Sequence, residues 1–355
     1  MRIGLYSSSL PEPDRKPGGV DVYVDRLAER LAQRGHAVTV FTYSPPLRER
    51  NYRVHQLQPA DMASSKLRRL VVAPARINAL DTHGLDLLHL HGDDWFYVRR
   101  RLPTIRTSPG SALYEARYAT RARRRVTQYA VYPMEVLASR LATASYGIIP
   151  GDGPGYRTVG HLSLGIELPP LTGVERPAPP TVLFVGTWCG RKRGELLHEA
   201  FQREVLPRLP EAQLVMVSDH CEPGRNVRWV RRPSDAELAE LYRGASVFCT
   251  PSVYEGFGLP YLEAMAHGTP VIATANPGSR YVLGDGRHGA IATDDGLAPA
   301  IVRLLTDEDE RRGLARAGRR RAEEFAWEES LARHERAYED TIERFRQRGV
   351  ARSRA

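Results

Sequence analysis

Lysine is almost missing from this chain: of 51 basic residues only Lys16, Lys66 and Lys192 are lysines, and arginine supplies the rest. Such a bias marks a GC-rich bacterial coding sequence, so the formal charge of +9 is weak evidence for a nucleic-acid partner. Cysteine is scarce too. Cys189, Cys221 and Cys249 are odd in number, widely separated and in no C-x-x-C pair, which argues against a disulfide framework or a zinc site and leaves free thiols. No apolar stretch reaches the ~18 residues of a membrane span. Met1–Tyr6 has no apolar h-region or small-residue cleavage site behind it, so a soluble, cytoplasmic protein is expected. Two arginine runs, Arg99–Arg101 and Arg121–Arg125, come without zinc-finger spacing, an RNP-like aromatic string or a helix-turn-helix pattern. A solvated helical face accounts for them best, peripheral contact with an anionic membrane second, and nucleic acid is not expected.

What the chain does have is alternation. At 355 residues it suits two domains rather than one core. Arg2–Tyr6 and Ala37–Thr42 read as buried strands, and between them Val20–Arg34 places Val20, Val24, Leu27, Ala28 and Leu31 on one helical face. Further strands are expected near Asp86–Leu90, Thr104–Thr107 and Tyr146–Ile149, with a helical stretch over Met134–Ala144. A Pro-rich segment, Pro169-Pro170 and then Pro177–Pro180, has the composition of a stiff linker. Beyond it the alternation restarts with strands at Thr181–Val185, Gln213–Val217, Asn226–Val230, Ser246–Thr250 and Pro270–Thr274. The fold class is therefore α/β, with two doubly wound, Rossmann-like domains over 1–172 and 173–326. From about Gly296 the chain is helical and charged. Trp327, Leu331, Tyr338 and Ile342 form a packing face, and fraying is expected past Arg346.

The densest signal is the run Pro251–Pro270, in which Glu255 and Glu263 stand eight positions apart. A short apolar strand precedes it, and Leu259–His267 has the length and spacing of a helix closed by Gly268. Gly256 and Gly258 let backbone come close to a ligand, and Pro260 suits a first helical turn. The turn then offers free amides to a phosphate or to sugar oxygens. Taken alone, the two acids read equally as a loop glutamate and a helix-surface glutamate. Phe184-Val-Gly186 ends another strand, and Arg191, Lys192 and Arg193 follow just before a helix. Three cations at such a junction suit a diphosphate, or else form a solvated basic loop. His89 and His91 alternate with leucines, so on a strand both imidazoles face the same side.

The string Glu-Gly-Phe-Gly-Leu-Pro followed by Leu-Glu-Ala-Met-Ala-x-Gly-x-Pro-Val resembles the E-x7-E signature of the retaining family 4 glycosyltransferases, which have the GT-B fold. Gly18-Gly-Val20, Leu27-Ala-x-x-Leu31 and Gly35–Val40 resemble that family's N-terminal signature, and Phe325–Glu328 its approach to the last helix. The resemblance implies two domains facing a central cleft, a final helix of about 327–346 crossing back to the first domain, an N-terminal domain for the acceptor and a C-terminal domain for the nucleotide sugar. By the same resemblance Glu255 binds the donor sugar, Glu263 the ribose hydroxyls, and Arg191 and Arg193, with Lys192 close behind, the diphosphate. Gly18, Gly19, Gly186, Gly256, Phe257, Gly258 and Leu259 approach the donor, with Lys16 and Pro17 just before the first glycine pair. His91 matches the histidine that faces the donor sugar.

Three places depart from the family: Thr187 stands for the usual arginine in a loop one residue longer, Thr107–Gly110 lacks a histidine, and Val217–Cys221 replaces a Gly-rich turn. The implied activity is transfer of a sugar from a nucleotide-diphosphate sugar, the co-substrate, to an acceptor hydroxyl with retention. No metal or other cofactor is expected, since cations and helix amides serve the leaving group. A small-molecule acceptor in antibiotic biosynthesis, with Asp93 and Asp94 toward a cationic aminocyclitol, stands beside a cell-surface lipid or polysaccharide acceptor. Other classes remain: a sugar-nucleotide 2-epimerase, or a silent nucleotide-sugar-binding partner. A phosphorylase fits poorly for want of a suitably buried lysine.

Overall fold

A parallel sheet is covered on both faces over its central strands, which are therefore buried along most of their length, and Arg2–Tyr6, Leu87–Leu90, Thr181–Val185, Val247–Thr250 and Val271–Thr274 of this protein meet that rule. The computed structural model describes residues 1–12, 18–58, 68–98, 101–119, 121–151, 153–171 and 179–353. Lys16, Pro17, Arg99, Arg100 and Pro177 lie outside these residues. The chain forms two compact units: Met1–Ala116, Val126–Gly165 and the chain from Trp327 onward make the first, and Arg117–Arg125 with Ile166–Ala326 the second. The boundary thus falls at Gly165/Ile166 rather than after residue 172, and the arginine-rich segment 117–125 goes with the second unit.

In the first unit, β1 (Arg2–Tyr6), β2 (Ala37–Thr42), β3 (Arg53–Gln56), β4 (Leu87–Leu90), β5 (Thr104–Ser108), β6 (Ala144–Gly147) and β7 (Gly160–His161) form one sheet. Its order is β3-β2-β1-β4-β5-β6-β7, all pairs parallel. The order reverses between β1 and β4, and ligands bind such sheets beyond the carboxyl ends at that point. Helix Gly19–Gln33 buries Val24, Leu27, Ala28 and Leu31, as its spacing requires. The last helix, Trp327–Ser353, belongs to the same unit and buries Trp327, Leu331 and Tyr338 in its core, with Ile342 packed alongside. Gly165 makes room for it, since a Cβ there would lie 2.5 Å from Trp327 Cε3.

Several expectations need correcting. The helix placed at Met134–Ala144 is Ala122–Leu141, and the next strand begins at Ala144. Thr143 and Thr104 exchange backbone-to-hydroxyl bonds of 3.1 and 3.2 Å, which sets β6 against β5 two residues earlier than its apolar run suggests. β3 and β7 were not expected, because Arg53 and His55 in β3 and both residues of β7 are exposed edge positions. The last helix runs on to Ser353 rather than ending near Arg346.

In the second unit, β8 (Thr181–Val185), β9 (Gln213–Val217), β10 (Val227–Val230), β11 (Val247–Thr250), β12 (Val271–Thr274) and β13 (Ala290–Ala292) take the order β10-β9-β8-β11-β12-β13, again parallel. The reversal lies between β8 and β11. Both motifs singled out in this half follow those two strands.

Candidate active site

The turn after β11 is held from below before it can hold anything. Thr274 Oγ1 and Asn276 Nδ2 donate to the Ser252 carbonyl at 2.8 and 3.0 Å, and the Gly278 amide donates to the Glu255 carbonyl at 3.0 Å. Gly278 has no room for a side chain, since a Cβ would sit 2.6 Å from the Phe257 carbonyl oxygen. Gly258 then turns the chain into helix Leu259–Ala266 with φ +97°, and a Cβ there would lie 2.3 Å from the buried Tyr261 ring. Only glycine satisfies both constraints. Pro260 lies in the first turn, and the amides of Tyr261 and Leu262 go to the Gly258 carbonyl at 2.9 and 3.4 Å. The amides of Gly256, Phe257, Gly258 and Leu259 have no acceptor among the described residues. Four successive open amides at a helix start favour an anion.

Glu255 lies at the start of this turn, buried. Lys192 Nζ approaches its Oε1 at 2.5 Å, an ionic contact rather than an aligned hydrogen bond. The structure thus joins the cation of the loop after β8 to the acid of the loop after β11. Gly186 permits this, because a Cβ there would crowd the Phe184 ring at 2.7 Å and Lys192 Cβ at 3.1 Å. Arg191 accepts the Val253 amide on its carbonyl at 2.9 Å, a second tie between the two loops.

Arg193 is placed differently from its neighbours. It caps helix Gly194–Ala200 with φ 52° and ψ 48°, a left-handed conformation uncommon for arginine. Its guanidinium forks onto Asp294 at 2.6 and 2.8 Å, and its Nε donates to the Pro251 carbonyl at 2.6 Å. This side chain ties the ends of β8, β11 and β13 together. Thr187 donates to the Cys189 carbonyl at 2.9 Å, and the Trp188 amide is tethered to Asp219 at 2.8 Å.

Glu263 lies in the second turn of its helix, half-buried, and Tyr242 donates its hydroxyl to Oε2 at 2.9 Å. Tyr242 is itself fixed by a stacked His267 ring 5.5 Å away and by Thr269, which bonds its carbonyl at 2.5 Å. No sequence signal near Glu263 points to Tyr242, which comes from another helix, Asp235–Gly244.

In the first unit the residues just beyond β4 meet helix and sheet partners. His91 follows β4, its amide bonded to the Tyr6 carbonyl at 3.1 Å. His89 and His91 face the same side, their ring centroids 3.9 Å apart. His89 is a fully buried, satisfied histidine, with Thr107 Oγ1 at 2.6 Å from Nε2 and the Tyr338 hydroxyl at 3.0 Å from Nδ1. Burial, with His334 nearby, pushes His91 down to about 3, and burial beside His91 and His334 holds His89 well below the usual imidazole range. Gly18 opens the first helix, its amide bonded to Asp21 Oδ2 at 3.1 Å, and Gly19 has open space around it.

The two aspartates proposed for a cationic acceptor separate. Asp94 is fully buried against Arg106, whose Nε donates to Oδ1 at 2.9 Å, so its charge is spent inside the fold and is out of an acceptor's reach. Asp93 stays half-buried at φ 51°. Helix Ala122–Leu141 begins with exposed arginines and carries an exposed apolar stripe, Val126, Tyr129 and Leu137, which the arginine run had hidden from view. No described helix is long and apolar enough to cross a membrane.

Residues 17–144 match the family model "Glycosyltransferase Family 4", and residues 179–307 match "Glycosyl transferases group 1". Along 96% of its length the chain is 26% identical to a phosphatidyl-myo-inositol mannosyltransferase of Mycolicibacterium smegmatis, of which the alignment covers 94%. It is 27% identical to a D-inositol 3-phosphate glycosyltransferase of Kribbella flavida, with 92% of each chain covered. Among solved structures, sucrose-phosphate synthase from Thermosynechococcus elongatus superposes with a TM-score of 0.75 over 96% of this chain and 98% of that one, at 24% identity. With two Rossmann-like units whose motifs lie beyond the carboxyl ends of their strands, the chain belongs to the family 4 glycosyltransferases and has the GT-B fold.

Proposed function

We propose that the protein transfers a sugar from a nucleotide-diphosphate sugar to an acceptor hydroxyl with retention at the anomeric carbon. The observation that carries this reading is the row of open amides at Gly256–Leu259 beside the Lys192–Glu255 pair. In this reading the diphosphate takes the amides and the Lys192 ammonium, Arg191 adds charge, and Arg193 holds the loop in shape. Glu255, released from Lys192, then binds sugar hydroxyls, while Glu263, oriented by Tyr242, takes the ribose. The bond from the anomeric carbon to the phosphate oxygen breaks with its electron pair leaving on the diphosphate. The acceptor oxygen bonds to that carbon from the same face, and its proton passes to the departing phosphate oxygen. Amides and cations placed where negative charge develops provide the main electrostatic stabilisation. By resemblance His91 contributes polar support to the sugar, and Gly18 and Gly19 leave room for the ligand.

The names of the relatives favour an inositol-type or lipid acceptor over an aminocyclitol, and the buried Asp94–Arg106 pair agrees. The apolar stripe on helix Ala122–Leu141, next to exposed arginines, suits shallow seating on an anionic bilayer where such a lipid resides. The test is nucleotide release from a panel of nucleotide sugars, with and without phosphatidylinositol vesicles, inositol phosphates and aminocyclitols, followed by NMR of the product's anomeric coupling. An altered sugar nucleotide formed without acceptor would indicate an epimerase. Binding without turnover across the panel would indicate a silent partner.

A further inference from the structure

The last helix places two polar side chains one turn apart inside the first unit, and each reaches His91 through one intermediate ring. Tyr338 bonds His89 Nδ1 at 3.0 Å, and His89 lies face-near against His91 at 3.9 Å. His334 bonds the Tyr23 hydroxyl at 3.2 Å, and Tyr23 meets His91 edge-on at 6.3 Å while stacking on Trp327 at 5.6 Å. The His334 tautomer follows from its partners. Its Nδ1 is 2.8 Å from the Ser330 carbonyl, which can only accept, so Nδ1 carries the proton and Nε2 receives the Tyr23 hydroxyl. On the other arm Thr107 closes the remaining nitrogen of His89 at 2.6 Å. All five rings, Tyr23, His89, His91, His334 and Tyr338, are buried. Among the described residues His91 Nε2 has no hydrogen-bond partner, so these walls and its backbone fix His91 rather than a bond at that nitrogen.

A hydrogen bond on His91 would fix its ring at one nitrogen and use a lone pair. Walls fix the ring and leave Nε2 uncommitted. We propose that His334 and Tyr338 are positioning residues for His91: the last helix sets the ring plane of His91 through Tyr23 and His89 without bonding to it. The inference rests on His91 serving the transfer reaction described above. The helix is therefore more than a lid on the apolar core, since His334 and Tyr338 bring polar groups to buried positions where leucine would pack.

The test compares Tyr338→Phe, His334→Leu and His334→Gln, the last able to donate to Ser330 and accept from Tyr23 as histidine does. Two readouts are taken on the full chain: imidazole NMR signals of His91, and kcat and KM for whichever donor the panel identifies. The expected result is broadened or shifted His91 signals and a roughly tenfold lower kcat in Tyr338→Phe and His334→Leu, with donor KM within about twofold. His334→Gln should restore both. Unchanged His91 signals in both disabling variants would overturn the inference even if transfer stands. So would a loss confined to KM, or a loss that His334→Gln shares. If no donor supports turnover, the NMR signals alone decide, and the transfer reading fails separately.

Discussion

Three histidines buried uncharged make the first unit acid-sensitive in a window where carboxylates are still ionised. His91 is held down at about 3 and His334 at about 4, and His89 also lies far below its ordinary value, all mainly by burial. An unfolded histidine titrates near about 6.5. Between these values the unfolded chain binds more protons than the folded one, so stability is complete above the unfolded value and falls as pH falls. At pH 5.5 each residue costs about 1.4 kcal/mol relative to pH 8, and three cost about 4 kcal/mol. That is a large share of a typical domain's 5–15 kcal/mol or so. Hydrogen exchange, corrected for the intrinsic pH dependence of exchange, reads the two units separately. Amides in β1, β4 and β5 should lose about 4 kcal/mol of protection between pH 8 and 5.5. The second unit, in which His267 and His288 are also lowered but only partly buried, should lose less. A loss below about 1 kcal/mol in β4 would show that these imidazoles titrate normally in the fold, which would refute the burial argument.

The second unit gives two sharper substitutions. Gly258→Ala must place a Cβ 2.3 Å from a buried ring at φ +97°; it should destabilise the unit by about 1–3 kcal/mol and weaken nucleoside diphosphate binding more than tenfold, both readable by calorimetry. Tyr242→Phe removes the hydroxyl that orients Glu263 at 2.9 Å; about 1 kcal/mol of lost orientation should raise donor KM roughly fivefold with kcat nearly unchanged, and a fall in kcat instead would move Glu263 from nucleotide binding to the chemical step.

Strand and helix order in both units was legible because most buried strands are short apolar runs and helices such as Gly19–Gln33 repeat an apolar face every three to four residues. Gly258 and Pro260 were legible for the same local reason, as their backbone roles depend only on neighbours. Edges and partners were not. β3 escapes detection because Arg53 and His55 face solvent, so no apolar run marks it. Tyr242, Asp294 and Tyr338 act on Glu263, Arg193 and His89 across 21, 101 and 249 residues of chain, and no local pattern encodes such pairings. Arg193 and Asp94 show the complementary case. A charged residue in a motif-like loop suggests a ligand, and here the fold also supplies a counter-charge, Asp294 for Arg193 and Arg106 for Asp94.

Lys192 and Glu255 illustrate how a pair of side chains can be site and structure at once. Their side chains are 14% and 7% exposed, so each desolvates the other, and removing one leaves a buried charge without its partner. Lys192→Met should therefore cost stability as well as diphosphate affinity, about 3 kcal/mol or more in stability if Glu255 stays charged. Glu255→Gln is more informative, because it separates the sugar from the diphosphate. In the wild type an incoming diphosphate must draw Lys192 away from Glu255. In the variant the ammonium is already released, so a nucleoside diphosphate lacking the sugar should bind more tightly than to the wild type. The complete nucleotide sugar should bind more weakly, because its hydroxyls lose a charged acceptor. Opposite signs for two ligands that differ only by the sugar would assign Glu255 to the sugar and Lys192 to the phosphates. Equal losses for both, measured by calorimetry at one ionic strength, would place Glu255 in the nucleotide site and refute the exchange of partners.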